Sequence, residues 1–283
     1  GELKNSATVD SVSSYVVLVR KGAHATFDGA GIAGAYCLYA LGDVDIVRAN
    51  MEATGGCAIA VNGSARVVVG SKDATAAENN KNVVVTSANN CISTRAKEGS
   101  KDSKVTVYGG TFTGATNPDN PSDPWNCGPV YWASHGTLDI RDGVFTTAAA
   151  TAAVLQKNGT VKVSGGTFEA KDGFKIDATQ QDTTEIVTEI ADGTFTGTRA
   201  GIYVNAGTGG PIDYAKNFSV KVKGGTFKGG DKERAIYVKP AGAAAAGTKP
   251  LEISGGTFDE ALDADYCAPN YVPETTPDAD GNY

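Results

Sequence analysis

Asp139, Arg141 and Asp142 are the residues of this chain whose types and spacing come nearest to catalysis. Asp139 and Arg141 alternate with Leu138 and Ile140, so on a strand both project from the outward face. In a repeating fold Lys162 and Lys175 would stand one level along. Two carboxylates flanking a glycosidic bond can cleave it, one protonating the leaving oxygen while the other attacks or activates water. The same pattern also describes a solvated strand face, because Lys162, Lys221 and Glu252 hold the corresponding slots elsewhere. His24 and His135 are the only histidines, and Ser134-His135-Gly136 reads as a solvent-facing turn with no nucleophile elbow beside it. The cysteines Cys37, Cys57, Cys91, Cys127 and Cys267 are odd in number and lack CxxC spacing. That argues against zinc and against a complete disulfide framework, and for small buried hydrophobes.

Recognition is the second chemistry on offer. Tyr39, Tyr131, Tyr203 and Tyr237 hold the same place in short runs such as GIYV and AIYV, whose Ile and Val would point inward. These tyrosines are therefore expected outward, with Tyr203 and Tyr237 on neighbouring levels about 5 Å apart. Aromatic faces with polar tips suit sugar rings. Trp125 joins them from the acidic, proline-rich stretch 117–125 (NPDNPSDPW), and loops held on a rigid scaffold commonly carry function. Trp132 falls on the inward parity and reads as core. The expected glycan contacts are Trp125, Tyr131, Tyr203 and Tyr237; against them stands the plain preference of tyrosine for strands.

What must position these residues is a repeat. GGTF recurs in residues 105–112 (VTVYGGTF), 161–168 (VKVSGGTF), 220–227 (VKVKGGTF) and 251–258 (LEISGGTF), with degenerate copies at 138–145 (LDIRDGVF) and 187–195 (VTEIADGTF). The six phenylalanines, Phe112, Phe145, Phe168, Phe195, Phe227 and Phe258, lie 33, 23, 27, 32 and 31 residues apart. Such a period marks a solenoid, propeller or array. Each unit reads as an alternating strand, a glycine corner, an inward phenylalanine and, after a polar stretch, a second strand such as residues 235–238. Propeller blades need four strands, for which these units have no room, and the calcium-binding nonapeptide is missing. Asp142-Gly143 and Asp192-Gly193 read as turns.

The expected fold is all-β, a single-stranded right-handed parallel β-helix of about nine coils. One domain spans 1–283, with divergent coils over 1–103, GGTF coils over 104–260 and a terminal coil and tail over 261–283. Residues 82–85 read as a strand reached through the polar excursion 71–81, and 114–128, 205–217 and 240–250 read as protruding loops. A net charge of −7, from 25 Lys and Arg against 32 Asp and Glu, argues against a nucleic-acid partner. No apolar run is long enough for membrane insertion, and no signal peptide is present. Residues 1–4 read as an artificial start. No cofactor is expected.

These residues resemble bacterial cell-surface proteins with GGTF repeats, in the pectin-lyase-like β-helix class. The resemblance covers about 104–283 and is most specific at the end, where ISGGTF is followed by YCAPNY (266–271) and DGNY (280–283). It implies export, attachment to a wall or membrane through another part of the gene, and a chain that is a fragment of a longer surface protein. Lyases of this class use acids for calcium and an Arg or Lys as base, a role that Asp139, Arg141 and Asp142 would have to fill here. The expected function is a non-catalytic extracellular module for adhesion, glycan binding or structural display. A lyase or glycoside hydrolase acting on acidic polysaccharide is the alternative, and a ligand-free spacer stalk the second.

Overall fold

The computed structural model describes residues 2–5, 14–94, 103–115, 128–147, 152–180, 182–230 and 234–283. The chain is all-β, and its named strands pair in parallel throughout. Pairing follows the repeat, so that each strand lies beside the strand one unit later. Three ladders result. The first runs through residues 24–27, 43–46, 66–69, 104–107, 137–140, 160–163, 186–190, 218–222 and 252–253. The second begins at Glu2–Asn5 and continues through 30–34, 49–53, 83–87, 111–114, 144–146, 167–170, 194–197, 226–228 and 257–258. The third runs through 15–19, 36–40, 59–61, 92–94, 130–132, 152–156, 172–177, 200–205 and 234–239. Gly159–Asp177 and Ile186–Asn205 each pass through all three ladders, bending at register shifts on either side of Ser164 and between Ala170 and Asp172.

Alternation along each strand sends one column inward, and the columns stack by chemistry. Val67, Val105, Leu138 and Val161 form one, and Ile46, Val69, Val107, Ile140, Val163, Ile190 and Val222 another, all essentially without exposure. On the second ladder Phe112, Phe145, Phe168, Phe195, Phe227 and Phe258 stack ring on ring, with centroids 4.6–5.2 Å apart and planes within 10° of parallel. Parallel strands lie about 4.8 Å apart, so in-register rings stack at nearly that spacing. In the N-terminal rows Ile32, Met51 and Val85 fill the same column.

The phenylalanine explains the glycine that precedes it. Gly143 has φ +137°, and a Cβ there would stand 2.9 Å from the Phe145 ring and 3.2 Å from the Gly110 oxygen. Gly166 has φ +107°, with the Gly143 oxygen at 2.9 Å from such a Cβ. The motif's first glycine lacks a positive φ at Gly165, Gly224 and Gly255, although a Cβ there would stand 2.4–2.6 Å from a backbone oxygen of the preceding unit, and Asp142 and Asp192 replace it in two units. There each carboxylate accepts the backbone N–H of the following glycine, at 2.6 and 2.7 Å, so the expected turns are corners between ladders, and Asp192-Gly193 bends within a continuous strand.

Three short helices replace expected loops. Ala76–Asn82 fills the second half of the excursion 71–81 and takes in Asn82, which was expected in the strand; it is started by a capping box, in which Thr75 accepts from Glu78 N–H and Glu78 accepts from Thr75 N–H. It delivers the chain to the strand Val83–Ser87. Tyr214–Asn217 and Ala241–Ala245 correct the protruding loops expected at 205–217 and 240–250. Ile212, Tyr214 and Ala243 are buried in the core, and Tyr214 Oη donates to the Gly207 carbonyl at 2.7 Å. An apolar side chain inside a polar insertion folds it back, since leaving that area in water costs about 25 cal/mol per Å².

At the C-terminal end the tail folds across two of the ladders. Cys267 bridges to Ile253 in parallel, and Ala268 N–H donates to the Ile253 carbonyl at 2.7 Å. Phe258 and Tyr283 exchange backbone hydrogen bonds at 2.9 and 2.7 Å. No helix among the described residues is long and apolar enough to cross a membrane.

Candidate functional site

Asp139 lies on the outer side of the first ladder and Lys162 stands beside it in register. The column continues through Glu189, Lys221 and Glu252. Charges thus alternate up this face, with Lys221 Nζ 3.9 Å from Glu252 and Lys223 Nζ 2.7 Å from Glu189. Alternation is what parallel in-register strands require, because like charges directly opposite destabilise the pair. Lys223 donates to the Glu189 carboxylate and holds its pKa below the ordinary glutamate value. The carboxylate of Asp139 accepts from Arg141 Nε at 2.9 Å and Nη2 at 2.6 Å. Asp142 is engaged at its glycine corner. All three candidate acid–base residues therefore have local partners. Lys175 is not their neighbour: it lies on the third ladder, in register with Leu155 and Tyr203.

The histidines are equally committed. His135 is half-buried, its Nδ1 3.2 Å from Thr184 Oγ1 and its Nε2 3.3 Å from Asn158 Nδ2, which corrects the expectation of a solvent-facing turn. His24 Nε2 lies 3.0 Å from Asp45 Oδ2. Cys37, Cys91 and Cys267 are buried free thiols, and the half-buried Cys57 has its Sγ 3.3 Å from Tyr15 Oη. Burial pushes the Cys37 thiol up to about 12 and raises that of Cys91 further, so neither supplies a thiolate near neutral pH. Cys37 and Cys91 are separated by the row that carries Ala58. Among the described residues no three His, Cys, Asp or Glu side chains are grouped to hold a metal ion.

The outer side of the third ladder carries the tyrosines. Tyr203 and Tyr237 are in register, with ring centroids 5.2 Å apart and planes crossed at 70°. Their expected outward parity holds for the strand, but the expected exposure does not hold for Tyr203, which is only 4% exposed. Cations cover it. The Arg199 guanidinium lies 4.5 Å from its ring centre, Lys175 Nζ 5.5 Å and Lys239 Nζ 5.9 Å, all within cation–π range. Tyr237 remains half-exposed at the rim. Tyr131 is buried as well, in a separate apolar cluster with Ala133, Ala152 and Leu155, with Lys157 Nζ 5.1 Å from its ring. Trp125 lies outside the described residues. Trp132 is fully buried, on the inward side.

Asp172 organises the cations and went unnoticed in the sequence. It is fully buried, and its carboxylate receives Arg199 through both Nε, at 2.7 Å, and Nη2. Burial pushes the Asp172 carboxyl up, and Arg199 pulls the other way. This paired acid holds the guanidinium over Tyr203. Lys175 is steadied by Asp177 at 3.6 Å, and Asp177 accepts from Thr179 and Asn205. The result is a rigid strip on which aromatic rings, three cations and two structural carboxylates lie on three neighbouring strands. Chemically it can stack a ring and attract an anionic group. Comparison with protein-family models, with curated proteins and with solved structures finds no match for this chain.

Proposed function

We propose that the three ladders wind into a single-stranded right-handed parallel β-helix of about nine coils, on the order of 40 Å long at the ~4.8 Å strand spacing, and that it is an extracellular glycan-binding module of the GGTF-repeat surface class. In-register parallel pairing between successive units supports the coil, because each unit's short strands close no core alone. The observation that carries the binding reading is the gathering of Arg199, Lys175 and Lys239 around Tyr203, beside the half-exposed Tyr237. Asp172 pairs Arg199 and Asp177 pairs Lys175, so the strip keeps a net single positive charge on a chain that is acidic as a whole. Aromatic rings suit the apolar face of a sugar, and the cations favour sugars bearing carboxylate or sulfate groups.

Retention on immobilised anionic and neutral polysaccharides tests the reading, with released oligosaccharides followed by mass spectrometry. Wild-type protein is expected to be retained on anionic polymers without releasing fragments, and less so as salt rises. Tyr237→Ala with Lys239→Ala should lower retention about tenfold, corresponding to roughly 1.4 kcal/mol. Released fragments would instead make the chain an enzyme and direct attention to Asp139, Arg141 and Asp142. Absence of both signals would leave a spacer stalk.

A further inference from the structure

Residues 259–266 fold back onto the last strand of the third ladder, for a reason visible in their types. Leu262 and Tyr266, in an acid-rich stretch, are half-buried against the core. Their burial draws the chain across Arg234–Lys239, where the Glu260 carboxylate accepts Ile236 N–H at 3.3 Å. Asp263 starts the 3₁₀ helix Ala264–Tyr266, its carboxylate accepting Asp265 N–H at 2.9 Å. Between strand and tail lies a cleft of about 280 Å³, walled chiefly by Arg234, Ile236, Glu260, Leu262, Asp263 and Tyr266. Small-molecule sites begin at roughly 300 Å³, so this one has room for a compact ligand.

The charges in the cleft are uncompensated. Arg234 is exposed and Glu260 half-buried, and among the described residues neither takes part in an ion pair. Burial pushes the Glu260 carboxyl above its ordinary value; the Ile236 N–H and the Arg234 charge pull the other way without cancelling the rise. A carboxylate in that position gains more than a hydrated one from a cation brought to it. Arg234 presents the opposite need, because a guanidinium fork matches the two oxygens of a carboxylate. Its charge reaches both Glu260 and Tyr266, so the two walls are near enough to be answered by one small molecule.

We infer that this cleft binds a zwitterion, a free α-amino acid, with the carboxylate on Arg234, the ammonium on Glu260 and Asp263, and an apolar side chain against Ile236, Leu262 and Tyr266. A simple anion answers only Arg234, and a simple cation only the acids. An α-amino acid carries both charges on one carbon and adds an apolar body for the remaining wall. Neither Tyr203 nor Tyr237 lines the cleft, so the inference does not rest on glycan binding.

The test is titration calorimetry of the whole chain with L-alanine, L-leucine and L-phenylalanine, and with N-acetyl-L-leucine and L-leucinamide. N-acetylleucine lacks the ammonium and leucinamide the carboxylate. At least one free amino acid is expected to bind, and both leucine derivatives should bind about tenfold or more weakly than leucine, each having lost one charge-assisted contact. Arg234→Gln should weaken leucine and leave leucinamide unchanged. Glu260→Gln, which keeps an oxygen for Ile236 N–H, should weaken leucine and leave N-acetylleucine unchanged. Circular dichroism checks that both variants are folded. Absence of binding by all three amino acids would overturn the inference. So would equal affinity for leucine and leucinamide, or an Arg234→Gln variant that loses both alike while folded.

Discussion

Gly166 shows how one residue's shape is set by its neighbours. Its φ of +107° disfavours any side chain, and a Cβ would meet the Gly143 oxygen at 2.9 Å and the Phe168 ring at 3.3 Å. Gly22 has a comparable positive φ of +79° with nothing within 4 Å of such a Cβ. Gly166→Ala should therefore cost roughly 1–3 kcal/mol in urea denaturation, and Gly22→Ala less, the difference being the steric part. Equal losses would mean that φ alone matters and the ring does not hold the corner. At this scale the sequence was informative in part where chemistry is local: Asp142-Gly143 and Asp192-Gly193 read as turns and are corners between the first two ladders, the second pair lying within the strand Ile186–Asn205. Asp172 was illegible because a single acid in residues 171–173 (KDG) gives no sign that Arg199, on the next strand of the ladder, will close on it.

Elements here stabilise one another through columns. Phe195 stacks on Phe168 at 4.6 Å and on Phe227 at 4.9 Å, and meets Phe174 edge-on at 6.3 Å. Phe258 stacks on Phe227 alone, at 5.2 Å. Replacing Phe195 by alanine should cost about 3–5 kcal/mol, through lost burial and a cavity flanked on both sides. Phe258→Ala should cost less, because the end of the column can relax. Thermal or urea unfolding of the two variants checks this, and an equal or reversed order would show that the rings act singly. The strands and their inward parity were legible, since alternation repeats through every unit. The N-terminal rows read as divergent coils because Ile32, Met51 and Val85 replace the phenylalanine while keeping its place. None of the helices was expected from the sequence; Ala76–Asn82 alone carries a signal, the capping box of Thr75-Ala76-Ala77-Glu78 inside what reads as a polar excursion. Tyr214–Asn217 is too short to carry a period, and its burial is decided by the core it meets.

Over the whole molecule, three faces carry three chemistries. The first alternates charges along Asp139, Lys162, Glu189, Lys221 and Glu252. The second hides the phenylalanine column, and the third gathers cations over tyrosine. That Tyr203 and Tyr237 share a column follows from the repeat. That Arg199, Lys175 and Lys239 close over Tyr203 depends on corners and neighbouring strands, which periodicity does not report. Amide hydrogen exchange with and without an anionic oligosaccharide, read at peptide resolution, tests the functional account most directly. Added protection is predicted in residues 172–177, 200–205 and 234–239, with the first ladder unchanged. Protection centred instead on residues 137–143 would contradict it and move the site to Asp139, Arg141 and Asp142.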